Sequence, residues 1–161
     1  MDRADYVNAA RTRAHALYLG EVTPHRSCGI ALAETFGLPS RPYQALRKGG
    51  LTGDGSCGAI QAGILVLGEL LGDPSPTGGA TPDLRTAIHA YRTAIGVKLP
   101  GTVETSCNVR TAPAGDFSGR PRLLLCTALA AVVAETVAEV LWDLGRETTI
   151  PPADWDRPAA H

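Results

Sequence analysis

Apolar residues recur with a helical period along most of the chain. Between Asp5 and Leu19, Tyr6, Val7, Ala9, Ala10 and Leu17 offer apolar contacts, and Gly20 is placed to stop the helix. Ser27 stands as an N-cap before a second apolar segment, Cys28 to Phe36, which carries Ile30, Ala31, Leu32 and Ala33 and closes at Gly37. A short helix over Pro42 to Lys48, capped by Ser40, is expected next. The glycine-rich stretch Gly49-Gly50-Leu51-Thr52-Gly53-Asp54-Gly55-Ser56 then opens into an apolar helix, Cys57 to Leu71. Gly58, Gly63 and Gly68 lie inside that helix and cost ~1 kcal/mol each relative to alanine, which points to close backbone contact with a neighbour.

Thr81-Pro82-Asp83 reads as an N-cap followed by proline at the first helical position, and Leu84, Ala87, Ile88, Tyr91 and Ile95 carry the period to Gly96. The segment from Val103 to Arg110 is short and ambiguous. A long helix follows from Pro121 to Leu144, with Glu135, Glu139 and Asp143 facing outward. No alternating run demands a sheet. The expected fold is all-α: a single-domain helical bundle of about five to seven helices over residues 1–150, with a flexible C-terminal tail at 151–161.

At 161 residues and 44% hydrophobic, the chain can bury a core without disulfides. Its net charge of −1 gives no general grip on nucleic acid or an anionic membrane, and 5% aromatic residues provide no base-stacking platform. The N-terminal stretch lacks the apolar core of a secretion signal. The longest apolar run, Leu123 to Ala134, falls short of the ~20 residues a membrane span needs. These features predict a soluble, cytoplasmic protein with neither nucleic-acid nor membrane partners. In that reducing setting static disulfides are not the default fate of cysteine.

Candidate chemistry therefore centres on Cys28, Cys57, Cys107 and Cys126. No CxxC pair is present, so zinc-knuckle and thioredoxin motifs are absent at sequence level. Buried, inert thiols are the ordinary alternative. Cys28 and Cys57, however, each stand at an expected helix start, where free N–H groups and the helix dipole favour thiolate.

Cys57-Gly58-Ala59-Ile60-Gln61-Ala62-Gly63 forms a CGAxxG motif, preceded by GGLTGDGS and followed by ILVLGELLG. Cys28 lies upstream in SCGIALAETFGL, with Cys107 in ETSCNV and Cys126 in LLLCTALAAVV downstream. This arrangement resembles the C_GCAxxG_C_C family, named for its cysteine pattern and associated with redox activity, over roughly residues 20–140. The resemblance implies a small helical protein whose cysteines act as cluster ligands or redox thiols.

Three functional classes follow. In the first, the four thiolates hold a 2Fe-2S or 4Fe-4S iron–sulfur cluster for electron transfer or small-molecule activation. Structural zinc has the same ligand count, but it favours paired, close-spaced cysteines and is the less expected metal. In the second, a thiol–disulfide oxidoreductase or thiol-dependent enzyme, Cys57 is the nucleophile and Cys28 the resolving thiol. The third is a non-catalytic helical interaction module. Whether the protein is an enzyme stays open at this point. Its partner would be a redox protein or a small-molecule substrate, and a homodimer is compatible with either.

Other polar residues carry weaker signals. His25 stands three before Cys28 as a potential ligand or base, but a capping or surface role is the better reading for it, as for His15 and His89. The glycine loop lacks the GK[ST] of a phosphate cradle, and Asp54 reads as a turn residue. Glu135 and Glu139 share a helix face without a Glu-x-x-His partner, which favours a solvated face over a di-iron site. Arg120 and Arg122 could bind an anion, although exposure is the commoner fate of such arginines.

Overall fold

The computed structural model describes residues 1–101 and 105–152. The expected tail beyond Pro152, and Val103 in the ambiguous segment, lie outside the described residues. The fold is all-α. Six α-helices and two short 3₁₀ helices are present among the described residues, with one isolated antiparallel bridge, Ser56 to Ser106, and no strand.

Helix α1, Arg3–Leu19, begins where the Asp2 side chain accepts from the Asp5 N–H and ends at Gly20 in the left-handed region. Its buried face is Tyr6, Ala10, Ala14, Leu17 and Tyr18, one stripe at helical spacing. Helix α2, Cys28–Thr35, follows, then a 3₁₀ helix, Arg41–Leu46, and α3, Gly58–Leu71. Helix α4, Pro82–Lys98, starts at Thr81, whose hydroxyl accepts from the Leu84 N–H at 3.1 Å and donates to the Leu71 carbonyl at 2.6 Å. One threonine thus caps α4 and ties it to the end of α3. Helix α5, Cys107–Thr111, leads through a 3₁₀ turn, Ala112–Ala114, to α6, Arg120–Asp143.

Helix α6 is the centre of the bundle, with α1 to α5 all packed on it. Ala10 and Ala14 of α1 and Ala130, Ala134 and Ala138 of α6 are fully buried, and such small side chains let helices approach closely. The buried hydroxyls of Thr127 and Thr136 donate to the carbonyls four residues back, so neither is stranded in the core.

Three expectations are corrected here. First, α6 is 24 residues and, by length and composition, apolar enough to cross a membrane; the run ending at Ala134 understated it. Isolated glutamates interrupt an apolar run without ending a helix, and 61% of the apolar window is buried against neighbouring helices. Second, α4 does not stop at Gly96 but continues to Lys98. Lys98 Nζ lies 2.9 Å from Glu135 Oε1 and 2.6 Å from Glu139 Oε2, an anchor that holds the last turn on α6. Third, Glu135 and Glu139 are therefore not a solvated face. They are half-buried, and the Arg11 guanidinium also reaches Glu135. Burial pushes the Glu135 carboxyl up, but Lys98 and Arg11 outweigh it and hold the group below the usual carboxylate range.

Two of the three glycines within α3 make the close contacts expected of them. A Cβ on Gly63 would lie 2.2 Å from Tyr91 Oη, and one on Gly58 would lie 2.2 Å from the Leu46 carbonyl oxygen. Gly68 faces open space, so its presence has no packing explanation.

Candidate functional site

The chain leaves the 3₁₀ helix through an unusual turn. Lys48, Gly49, Gly50 and Leu51 all have positive φ, at 49°, 56°, 75° and 73°. The Leu51 N–H donates to the Arg47 carbonyl at 2.6 Å, which closes one turn of left-handed helix. For the non-glycine members this handedness costs about 1–2 kcal/mol each, so surrounding contacts must hold it. Those contacts are the Gly53 N–H on the Lys48 carbonyl at 2.7 Å and the Gly55 N–H on the Gly49 carbonyl at 3.1 Å. A Cβ on Gly49 would come within 2.7 Å of Cys107 Cβ, so the glycine is what allows the loop to lie against that cysteine.

The same loop joins two cysteine-bearing segments. Ser56 and Ser106 form the antiparallel bridge, and the Cys107 and Asn108 N–H groups donate to the Gly55 and Gly53 carbonyls at 2.8 and 2.9 Å. Each serine is followed at once by a cysteine, so the bridge brings Cys57 and Cys107 to the same place. Ser106 also caps α5, its hydroxyl accepting from the Val109 N–H. Cys57 is the N-cap of α3 rather than its first helical residue. Ser27 is the N-cap of α2 by position only. Its hydroxyl accepts from Arg47 Nε at 3.0 Å and makes no capping bond.

Cys28, Cys57, Cys107 and Cys126 all line one small cavity, with Tyr18, Lys48, Arg110 and Arg122 in the same wall. Cys57 and Cys107 are buried, Cys28 and Cys126 partly so, and all four are free thiols. The Cys28 thiol reaches the Leu46 carbonyl oxygen over 3.9 Å. A Cβ on Gly58 would sit 2.8 Å from Cys28 Sγ, so this motif glycine is what lets Cys28 approach the start of α3.

The expectation that helix starts make Cys28 and Cys57 good thiolates is corrected. Burial pushes the Cys28 thiol up to about 11, helped by the charge of Cys57 and outweighing its bond from the Gly29 N–H. Burial likewise raises Cys57, against the lowering effect of the Ile60 and Ala59 N–H groups and of Arg110. Cys107 is raised by burial and by Cys57 and Cys126. Withdrawal from water outweighs the helix-terminal dipoles, and mutual repulsion among the sulfurs adds to it. Without a metal beside it the Cys28 thiol stays protonated at neutral pH.

The donor chemistry fits a thiolate-ligated metal group: four cysteines share one wall with three basic side chains, and among the described residues no carboxylate lines it. Among the described residues no three His, Cys, Asp or Glu side chains are grouped tightly enough to hold a single metal ion. The cavity volume is about 20 Å³, room for roughly one water.

His25 is not part of this wall. Its Nδ1–H donates to the Tyr18 carbonyl, and its ring stands edge-on to Tyr18 at 4.9 Å, a structural role. His15 and His89 are exposed. Arg120 pairs with Glu21 at 2.8 Å on the surface, whereas Arg122 turns to the cavity. Lys48, Arg110 and Tyr18 were not singled out by the sequence. Arg110 follows Cys107 by three and Arg122 precedes Cys126 by four, so helical spacing alone puts each arginine beside its cysteine.

Comparison of the chain with family models, with curated proteins and with solved structures finds no match to any of them.

Proposed function

We propose that this chain is a redox protein that holds an iron–sulfur cluster through Cys28, Cys57, Cys107 and Cys126. The observation that carries the reading is the gathering of all four thiols on the wall of one cavity. The raised proton affinity of Cys28, Cys57 and Cys107 counts against a free nucleophilic thiolate at neutral pH. A cluster spreads its thiolates over several metal atoms, which suits four sulfurs that are not packed around one ion; mononuclear zinc suits them less. The CGAxxG motif and its flanking cysteines point the same way.

When bound, the cluster supplies a store for electrons. The chain's own residues supply its surroundings. Lys48, Arg110 and Arg122 offset negative charge at the sulfurs. The Ala59 and Ile60 N–H groups at the start of α3 act on Cys57, and such bonds raise the potential of a ligated cluster. Because the cavity has room for only about one water, loading requires a wall to move.

Anaerobic purification tests the proposal. Brown protein with stoichiometric iron and acid-labile sulfide is expected, and Cys57→Ser should lose most of both. Colourless protein that takes up no iron or sulfide on anaerobic reconstitution would overturn it. Fast-reacting thiols in such protein would favour thiol–disulfide chemistry, and unreactive thiols an interaction module.

A further inference from the structure

Beside the cysteine cavity lies an open cleft of about 290 Å³, close to the smallest volume typical of small-molecule sites. The two share Tyr18, Cys28, Lys48 and Arg122. The cleft adds His25, Ser27, Arg47 and Phe117 to its lining, and among the described residues no carboxylate lines it. Arg122 stacks on the Phe117 ring with Cζ 3.5 Å from the centroid, and Lys48 Nζ lies 4.6 Å from the same centroid. Two cations are thus held against one ring. Among the described residues none of Arg47, Lys48 and Arg122 forms an ion pair, while six of the chain's other basic residues do. Arg122 donates to the Phe117 carbonyl at 3.3 Å through one terminal nitrogen, but its buried Nε–H has no acceptor. A buried donor left unsatisfied costs about 1–3 kcal/mol, and like charges held together add to that. Both costs fall if an anion occupies the cleft.

We propose that this cleft binds a small molecule carrying a carboxylate or phosphate on an aromatic or apolar body. Lys48, Arg122 and Arg47 take the anionic group, and Phe117 and Tyr18 flank the body. Bound there, the molecule lies beside Cys28. Its role as a substrate of the redox centre rests on the cluster reading above, but its binding does not.

Calorimetric titration of the full-length protein at low salt, metal-free and after iron–sulfide reconstitution, tests this. The probes are phenyl phosphate, benzoate, inorganic phosphate and benzyl alcohol. Saturable binding of phenyl phosphate or benzoate is expected, the tighter of the two identifying the oxyanion. Benzyl alcohol should bind at least about tenfold more weakly, the loss of one charge-assisted contact. Arg122→Gln and Lys48→Gln should each weaken the anion by about tenfold, whereas Arg85→Gln, remote on α4, should not. No saturable anion binding, equal binding of benzyl alcohol, or inorganic phosphate binding as tightly as phenyl phosphate would overturn the proposal on the unmodified protein, whatever the folding of the variants. Anion binding by protein that takes up no iron would uphold the cleft and overturn the cluster; iron uptake without anion binding would do the reverse.

Discussion

Replacing Gly63 by alanine adds one methyl group where α3 lies against Tyr91 of α4. The added carbon would stand 2.2 Å from Tyr91 Oη, 2.5 Å from Cζ and 2.8 Å from Cε2. Tyr91 has nowhere to retreat, being fully buried, with its hydroxyl donating to the Ile60 carbonyl at 2.8 Å. Helix propensity alone favours alanine by ~1 kcal/mol. Overpacking opposes it by ~1–3 kcal/mol, and displacement of the tyrosine hydroxyl from its acceptor adds ~1–3 kcal/mol. The expected net loss is about 1–5 kcal/mol, and for a domain of this size each kcal/mol lowers Tm by about 2–4 °C. Gly63→Leu should lose more. Gly68→Ala, on the same helix with nothing within 4 Å of the new carbon, serves as the control and should gain ~1 kcal/mol. In a Tyr91→Phe background the nearest clash is gone, so Gly63→Ala should cost less there, though Cζ and Cε2 remain in the way. Urea and thermal melts followed by circular dichroism read all of these. If Gly63→Ala melts at or above the parent, or Gly68→Ala falls as far as Gly63→Ala, the close-approach argument fails.

Thr81→Ala should cost about 1 kcal/mol for the lost cap on α4, with a further loss from the Leu71 carbonyl it also satisfies; an unchanged urea midpoint would contradict this. Glu135 has a lowered pKa when folded, so its ion pairs stabilise the protein above the unfolded carboxylate's pKa, and that contribution is lost as pH falls through the folded value. The stability gap between the parent and Glu135→Gln should therefore be present at pH 7 and shrink below about pH 4; a gap that is constant or grows in acid would refute the assignment. In reduced, metal-free protein, alkylation of Cys28 by iodoacetamide should be slower at neutral pH than that of a free thiol and should climb as pH approaches about 11. Rapid labelling of Cys28 at pH 7 would show that the dipole at the start of α2 outweighs burial after all.

The helices were legible because their causes are local. Spacing of apolar residues, Thr81 as a cap, and Gly20 and Gly37 as stops each act within a few residues. Boundaries failed where a distant partner intervened. Gly96 is a reasonable stop until Lys98 finds two glutamates on another helix, and Ser27 is a reasonable cap until Arg47 claims its hydroxyl. The glutamates themselves looked like a solvated face because their partners lie 124, 37 and 41 residues away in the chain.

For the site, the sequence alone determined the cast: four cysteines in order, two of them directly preceded by the serines that pair, and glycines at the points of closest approach. Only the tertiary structure decided that all four cysteines share one wall, that Lys48 and Arg122 meet on the Phe117 ring, and that the Cys28, Cys57 and Cys107 thiols are harder, not easier, to ionise. The reason is that a helix start is a local feature, visible in the order of residues. Burial and the charges facing a group are set by segments tens of residues apart, and here those long-range terms are the larger ones.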